Sequence, residues 1–331
     1  MIGRLALSAP CLAVAATALA QDAVIRVLPP TWLGFAPALL AQDLGCYAQQ
    51  GVTLDFRFED DRANVMAAME RGDIDADMRT VGEHQGRPRA PETPGIITGT
   101  IDISVGGDGV LVNGLISMVA DLAGKRVAIE PNIPARLLLQ MEFAKAGLSI
   151  NDVDLREITT ADSIAVFADP SIAAVDACEP FLSQAVSILT DRAPRMLVSS
   201  RDAPDLIVDV LTARDAAPAE NPARFESLLR CVHRAADFQR ASPDDFSRLA
   251  APYYGLSAEE VSEIIETSMA YTTYEDDATY LGEGGGTGTL HPVFDAVMKL
   301  DIDSGAADTV LSAKDEIDNG LLTGLFVGHA R

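Results

Sequence analysis

The chain has 331 residues, of which 25 are basic and 49 acidic, so its formal net charge is −24, and 48% of its residues are hydrophobic. This composition predicts one large or two ordinary globular domains and argues against intrinsic disorder. The acidic balance also argues against nucleic acid and anionic membrane surfaces as partners, since both attract clustered Lys and Arg.

The first twenty residues have the pattern of a secretory signal peptide. A short positive segment and a mostly apolar one occupy residues 1–17, and Ala18-Leu-Ala20 supplies the small residues of a cleavage site. A membrane anchor is the alternative, but Pro10 and the polar residues after Ala20 leave too few of the ~20 apolar residues that a span requires. We therefore expect export and cleavage after Ala20, which removes Arg4 and no acid and leaves a net charge of −25.

Three cysteines remain in the predicted mature chain, namely Cys46, Cys178 and Cys231. An odd number excludes complete internal pairing, and their wide spacing matches no metal-binding motif. At most one disulfide can form, and we expect buried free thiols instead.

Short β-rich runs alternate with helical patterns from residue 24 onward, which predicts α/β architecture with mainly parallel strands. The first predicted strands are 24–28, 52–58 and 74–78. Pro37 stands where one intervening helix begins, and Asp61 is placed to cap another that ends at Gly72.

A second α/β series follows an aperiodic segment at 79–94. Its predicted extended runs are 95–103, 109–113, 126–130, 155–158, 173–177, 196–199 and 206–212, and a helix covers 135–146. Residues 221–270 are predicted to be almost wholly helical, with a capping box from Ser257 to Glu260. The glycine-rich segment 282–288 predicts a surface loop and not a phosphate-binding loop, because no Lys follows it.

Common catalytic motifs are absent from the sequence. It contains no G-x-S-x-G, no H-E-x-x-H and no G-x-x-x-x-G-K-[ST], and no two of its four histidines are three to five residues apart. We therefore predict no catalytic triad built on histidine, no metal site and no cofactor.

Five short motifs follow one another between residues 32 and 180. They are Trp32-Leu-Gly-Phe-Ala-Pro-Ala-Leu-Leu-Ala41, Gly45-Cys-Tyr47, Gly72-Asp-Ile-Asp75, Asp121-Leu-Ala-Gly-Lys125 and Val175-Asp-Ala-Cys-Glu-Pro180. In this order and spacing they resemble periplasmic substrate-binding proteins of ABC importers in the nitrate/taurine/aliphatic-sulfonate group. The resemblance covers about residues 24–212.

The resemblance implies a periplasmic-binding-protein fold of type II, in which two lobes joined by two crossover segments close on a small ligand. Lobe one would comprise 22–103 and 206–331, lobe two 112–200, and the hinge segments 104–111 and 201–205. It further implies a monomeric periplasmic protein that captures a small molecule and delivers it to an ABC permease, and not an enzyme.

Two other functions remain open at this point. The resemblance also leaves open an enzyme built on the same two-lobed fold, of the chorismate-dehydratase or thiamine-pyrimidine-synthase type. The synthase type carries a cysteine-rich iron-binding motif that this sequence lacks, and the export signal argues against a cytoplasmic biosynthetic role. A soluble sensor or chemoreceptor partner would use the same capture of a ligand.

The segment 130–134 bears on the charge of the ligand. It contains Glu130 and Asn132. At the corresponding turn, the sulfonate-binding members of the resembled family have a sequence similar to Gly-Ser-Thr. Two prolines remove N–H donors and a carboxylate is adjacent, so this turn makes a poor anion site.

Other polar residues match elements of one subgroup of the resembled family. These candidate ligand-binding residues are Thr80, Glu83, Ser104, Gly106, Asp108 and Glu179. Carboxylates at strand ends favour a ligand rich in N–H donors, such as an amine, a guanidino or urea-like compound or an N-heterocycle. We expect Trp32 to stack on its planar or cationic group, with taurine, other sulfonates and nitrate as the second ligand class.

Each of these candidates also has a purely structural interpretation. Glu83 would be a solvated loop acid, and Asp108 would bond only its own backbone. Glu179 would cap the helix that starts at Pro180, and Trp32 would only pack within a lobe.

Overall fold

The computed structural model describes residues 23–86, 95–131 and 133–322. The predicted signal peptide and Asn132 lie outside the described residues. The strands are β1 Ala23–Val27, β2 Val52–Phe56, β3 Ala76–Thr80, β4 Ile96–Ser104, β5 Asp108–Val112, β6 Arg126–Ile129, β7 Asp154–Glu157, β8 Ile172–Cys178, β9 Arg195–Ser199, β10 Val208–Ala213 and β11 Met269–Tyr271. None of the described helices combines the length and apolar character needed to span a membrane.

Helices cover both sheets and form most of the C-terminal third. They are α1 Ala36–Asp43, α2 Cys46–Gln49, α3 Arg62–Arg71, α4 Val81–Gln85, α5 Pro134–Lys145, α6 Ser163–Phe167, α7 Phe181–Ile188, α8 Ala216–Glu220, α9 Pro222–Ala241, α10 Pro243–Tyr254, α11 Ala258–Ser268, α12 Tyr274–Leu281, α13 Leu290–Ser304 and α14 Ala313–Glu316. Single 3-10 turns lie at Leu33–Phe35, Val119–Leu122, Ile150–Asp152, Thr160–Asp162, Thr190–Arg192 and Ser200–Asp202.

The strands form two mixed sheets, with the orders β11-β4-β10-β3-β1-β2 and β7-β6-β8-β5-β9. Only the pairs β1–β2, β1–β3, β6–β7 and β6–β8 are parallel in the described chain. The expectation of mainly parallel strands is therefore wrong. The reason is that β5 and β10 each enter a sheet directly from the other sheet, without a crossover helix, and pair antiparallel with both neighbours.

Two chain connections join the sheets and lie side by side. One runs from Ser104 to Asp108 and the other from Ser199 to Val208. The Ser200 hydroxyl lies 2.8 Å from the Ser104 hydroxyl and accepts a hydrogen bond of 2.6 Å from the Gly106 N–H. The second sheet thus begins at Asp108, within the predicted hinge segment 104–111.

Each sheet has its own hydrophobic core. Phe35, Phe225 and Phe246 belong to the large cluster around the first sheet. The second sheet carries one cluster on each face, around Phe143 of α5 and around Phe167 of α6. Separate cores are typical of chains organised as two structural units.

Local capping predictions are confirmed. The Asp61 carboxylate accepts hydrogen bonds from the N–H groups of Ala63 and Asn64, and α3 ends at Gly72 with φ 74°. Ser257 and Glu260 form the predicted capping box of α11. These outcomes follow because capping depends only on side chains within one helical turn.

A disulfide joins Cys46 of α2 to Cys231 of α9, with 5.7 Å between their Cα atoms. The expectation of free thiols is therefore wrong for this pair, whereas Cys178 is not disulfide-bonded. The two cysteines are 185 residues apart in sequence, so only the packing of α2 against α9 brings them together.

Replacing Cys46 and Cys231 together by alanine should lower the free energy of unfolding by ~2–5 kcal/mol, because the cross-link restricts the unfolded chain over a long loop. Chemical denaturation followed by circular dichroism measures the loss. Reductant should destabilise the unaltered protein by a similar amount and have no effect on the double variant. Equal stability of the oxidised and reduced forms would contradict this role.

Candidate ligand-binding site

A small cleft lies between parts of the two sheets. It is lined by residues that belong to the first sheet and its helices, to α5 of the second sheet and to the connection that precedes β10. They are Thr80, Gly82, Glu83, Ile133, Pro134, Arg136, Leu137, Gln140, Leu206, Ile207, Asp301 and Ala306. Of the residues predicted from sequence, Thr80 and Glu83 therefore face this cleft directly.

Glu83 is held at the turn where β3 ends and α4 begins. Its carboxylate accepts hydrogen bonds from the Thr80 N–H (3.1 Å) and the Thr80 hydroxyl (2.9 Å), and its own N–H donates to that hydroxyl. Its other oxygen lies 3.2 Å from Arg79, which also pairs with Asp77 at 3.0 Å. Since Glu83 is only 7% exposed, the interpretation of it as a solvated loop acid is wrong.

Asp108 begins β5 and lies opposite Cys178 of β8. The carboxyl group is buried, with 4% of the residue exposed. Burial raises the pKa of Asp108 to about 7, and the negative charges of Glu83 and Glu179 add to the rise, whereas a hydrogen bond with Ser104 opposes it. Asp108 therefore interacts with a side chain and two other acids, and not only with its own backbone.

Glu179 follows β8 and lies against the first connection. Its N–H donates to the Gly107 carbonyl (2.8 Å), which places it next to Asp108. Its carboxylate accepts hydrogen bonds from the N–H and hydroxyl of Ser183, in the first turn of α7. Glu179 thus caps a helix, and burial also raises its pKa.

Glu130 follows β6, and its carboxylate accepts hydrogen bonds from the N–H and hydroxyl of Thr160. Burial raises the pKa of Glu130, the charge of Glu83 adds to this, and Arg79 opposes it. The four acids predicted from sequence at strand ends therefore influence one another electrostatically.

Trp32 is buried, with 6% of the residue exposed. Its indole N–H lies 3.2 Å and 3.3 Å from the two carboxyl oxygens of Asp102. A Cβ atom on Gly107 would lie 2.6 Å from Cη2 of Trp32, so only glycine fits beside the ring. Ser104 and Gly106 contact Ser200 in the neighbouring connection, and these contacts fix the path of the chain beside the acids.

The sequence analysis did not single out Asp102, Asp176 and Asp209, which are buried near these acids. Asp102 of β4 and Asp209 of β10 are register partners, and burial raises the pKa of both. Asp176 of β8 accepts a hydrogen bond from the Glu130 N–H, and burial raises its pKa well above the usual range. The available signal was an aspartate inside an otherwise apolar strand, which is rare unless the carboxyl group has a specific partner.

The site is therefore strongly acidic and largely withdrawn from water. Its carboxyl groups belong to Glu83, Asp102, Asp108, Glu130, Asp176, Glu179 and Asp209. Arg79 is shared between Asp77 and Glu83, and the charge of Arg136 opposes the rise in the pKa of Asp176. In the part of the chain that the structure covers, no three His, Cys, Asp or Glu side chains converge as metal ligands would.

Comparisons with known proteins agree with this architecture. The family model described as NMT1/THI5 like matches residues 32–246. A candidate binding protein of Brucella abortus (strain 2308) is 21% identical over 264 residues, which cover 78% of this chain and 80% of that protein.

Solved structures confirm the predicted periplasmic-binding-protein fold. The alkanesulfonate-binding protein of Xanthomonas axonopodis pv. citri, bound to MOPS, superposes with a TM-score of 0.72 and 15% identity, covering 89% of this chain and 98% of that one. The periplasmic nitrate-binding protein of Synechocystis PCC 6803 gives a TM-score of 0.75 and 13% identity, covering 94% and 90%.

The free energy of unfolding of the ligand-free protein should fall as the pH rises from about 4 to about 7. An aspartate has a pKa of about 3.9 when unfolded, and Asp108 has one of about 7 when folded. The folded state therefore binds more protons in this range, and stability is lost on deprotonation. Asp108→Asn should be more stable than the unaltered protein at pH 8, with the difference shrinking towards pH 5.

Urea denaturation at several pH values measures these profiles. Asp237→Asn makes the same chemical change at an exposed position of α9 and should leave the profile unaltered. Parallel profiles for Asp108→Asn and the unaltered protein would contradict the expectation.

Proposed function

This chain belongs to the NMT1/THI5-like family, and on that premise we propose that it is the periplasmic substrate-binding protein of an ABC importer. It captures a small cationic or N–H-rich metabolite and delivers it to a membrane permease, without catalysing a reaction. The fold shared with alkanesulfonate- and nitrate-binding proteins supports this role. The Cys46–Cys231 disulfide is compatible with an oxidising compartment such as the periplasm.

The cluster of buried carboxyl groups is the observation from which we infer the class of ligand. Ionised carboxylates in a low-dielectric cleft repel one another, and each gains stability when a positive charge approaches. Asp108 is stabilised by a hydrogen bond with the neutral Ser104 and has two acids as neighbours. A ligand ammonium or guanidinium group placed between Asp108, Glu83 and Glu179 would relieve this repulsion, and its differential affinity would stabilise the closed arrangement.

A fold does not by itself dictate the sign of the ligand, which depends on the residues that line the site. In this chain the turn after β6 carries Glu130 and two prolines, and the Glu130 carboxylate is partly buried against Thr160. A sulfonate or nitrate would have to approach these carboxylates or force their protonation. We therefore favour amines, guanidino or urea-like compounds and N-heterocycles over taurine, other sulfonates and nitrate.

Putrescine or agmatine should bind the mature chain, residues 21–331, more tightly than taurine, ethanesulfonate or nitrate. Thermal-shift screening followed by isothermal titration measures this, and a ligand at 100 times its Kd adds ~2.7 kcal/mol of stability. Asp108→Asn should weaken the best amine at least ~30-fold, because it removes a buried charge partner worth ~2–5 kcal/mol. The Asp237→Asn control should bind as the unaltered protein does. Tight binding of sulfonates with no response to amines would refute the cationic ligand.

Amine binding at pH 7 should release protons. The carboxyl group of Asp108 is partly protonated at this pH, and an approaching cation lowers its pKa, so a proton leaves. Titrations in phosphate and in Tris, which differ in ionisation enthalpy, give the number of protons exchanged. An anionic ligand would instead cause proton uptake, so the sign of the exchange distinguishes the two ligand classes.

A further inference from the structure

The wall of the cleft that includes α5 and α13 carries buried polar atoms without hydrogen-bond partners. Among the described residues, Asp301 Oδ2, Gln140 Nε2 and Arg136 Nε are buried and have no hydrogen-bond partner. Asp301 is 5% exposed and Gln140 is 8% exposed. A buried polar group without a partner costs ~1–3 kcal/mol, so three of them in one cleft indicate a place for a hydrogen-bonding ligand group.

These groups come from opposite sides of the cleft. Asp301 lies on α13 close to Gly82, where an added Cβ atom would be 3.9 Å from Asp301 Oδ2. Arg136 and Gln140 lie one turn apart on α5 and therefore share one face of that helix. Asp301 experiences the positive charge of Arg136, yet no hydrogen bond joins them in the described chain. The space between the two helices is thus bounded by one acceptor and two donors.

The remaining lining of this part is apolar and consists of Ile133, Pro134, Leu137, Leu206, Ile207 and Ala306. Apolar walls with a few convergent polar groups are typical of small-molecule sites, where the polar groups fix the orientation of the ligand. Burial raises the pKa of Asp301 to about 7, and the charge of Arg136 opposes this rise without cancelling it. A neutral ligand group that carries both an N–H donor and a carbonyl acceptor matches the unpartnered oxygen of Asp301 and the unpartnered amide nitrogen of Gln140.

We propose that Asp301 and Gln140 form a second subsite that binds an amide-like group, a carboxamide or ureido group, at the far end of the ligand. Asp301 accepts its N–H and Gln140 donates to its carbonyl oxygen. The same cleft includes Thr80 and Glu83, so one ligand spans both subsites with its cation towards Glu83. This inference rests on the proposed cationic ligand and narrows it to compounds that have a cation at one end and an amide-like group at the other.

Matched ligand pairs test the subsite by isothermal titration. The amides are 4-aminobutanamide, 5-aminopentanamide and N-carbamoyl-1,4-diaminobutane, and the matching alkylamines of similar length are butylamine, pentylamine and hexylamine. At least one amide should bind ~10-fold or more tightly than its alkylamine, the effect of a hydrogen bond to a charged group. Asp301→Leu and Gln140→Leu should each reduce this ratio to about one and change the Kd of the alkylamine little.

Two further variants separate recognition from folding. Asp301→Asn keeps an acceptor oxygen and should retain part of the preference for the amide. Asp303→Leu changes an exposed acid of α13 and should leave both affinities unaltered. Thermal unfolding of each variant verifies that it is folded.

The outcomes also distinguish this inference from the function on which it rests. If alkylamines bind but no amide binds more tightly, or if Asp301→Leu weakens both members of a pair equally, the subsite is refuted while the cationic ligand stands. If no amine of either kind binds and sulfonates do, the cationic ligand is refuted and the subsite with it.

Discussion

The burial of carboxyl groups where the chain passes between its two sheets is the constraint on which the site depends. β4 and β10 pair antiparallel with Asp102 opposite Asp209. One connection follows β4 and the other precedes β10, and the two lie side by side through contacts of Ser200. This geometry gathers acids from strand ends of both sheets into one region of low dielectric. Their mutual repulsion and desolvation would oppose the fold if nothing compensated them.

Most of the compensation is local. Glu83 and Glu179 each accept hydrogen bonds at the start of a short helix, and Glu130 does so from Thr160. Arg79 divides its charge between Asp77 and Glu83, which leaves little for the others. Asp108 has a hydrogen bond with Ser104 as its compensation, and burial raises its pKa to about 7.

Function in this fold depends on surfaces that come from distant parts of the chain. The cleft joins the end of β3, the first turns of α5, the second connection and the C-terminal part of α13. A ligand that contacts all of them holds both sheets in one arrangement, and binding energy is thereby converted into a population shift. Buried polar atoms without hydrogen-bond partners on α5 and α13 add two further distant segments of the chain to this cleft.

Local sequence determined most of the secondary structure, because strand periodicity and caps such as Asp61, Gly72 and Ser257 act within a few residues. It also determined that Glu83, Asp108, Glu130 and Glu179 stand at the ends of strands or the start of helices. Only the tertiary structure decided that β5 and β10 run antiparallel to their neighbours, that Cys46 meets Cys231, and that Asp102, Asp209 and Asp301 are buried beside the cleft. Burial and pairing are set by contacts between residues far apart in the chain, so the position of an aspartate within an apolar strand indicates at most that the residue is buried and not which residues lie against it.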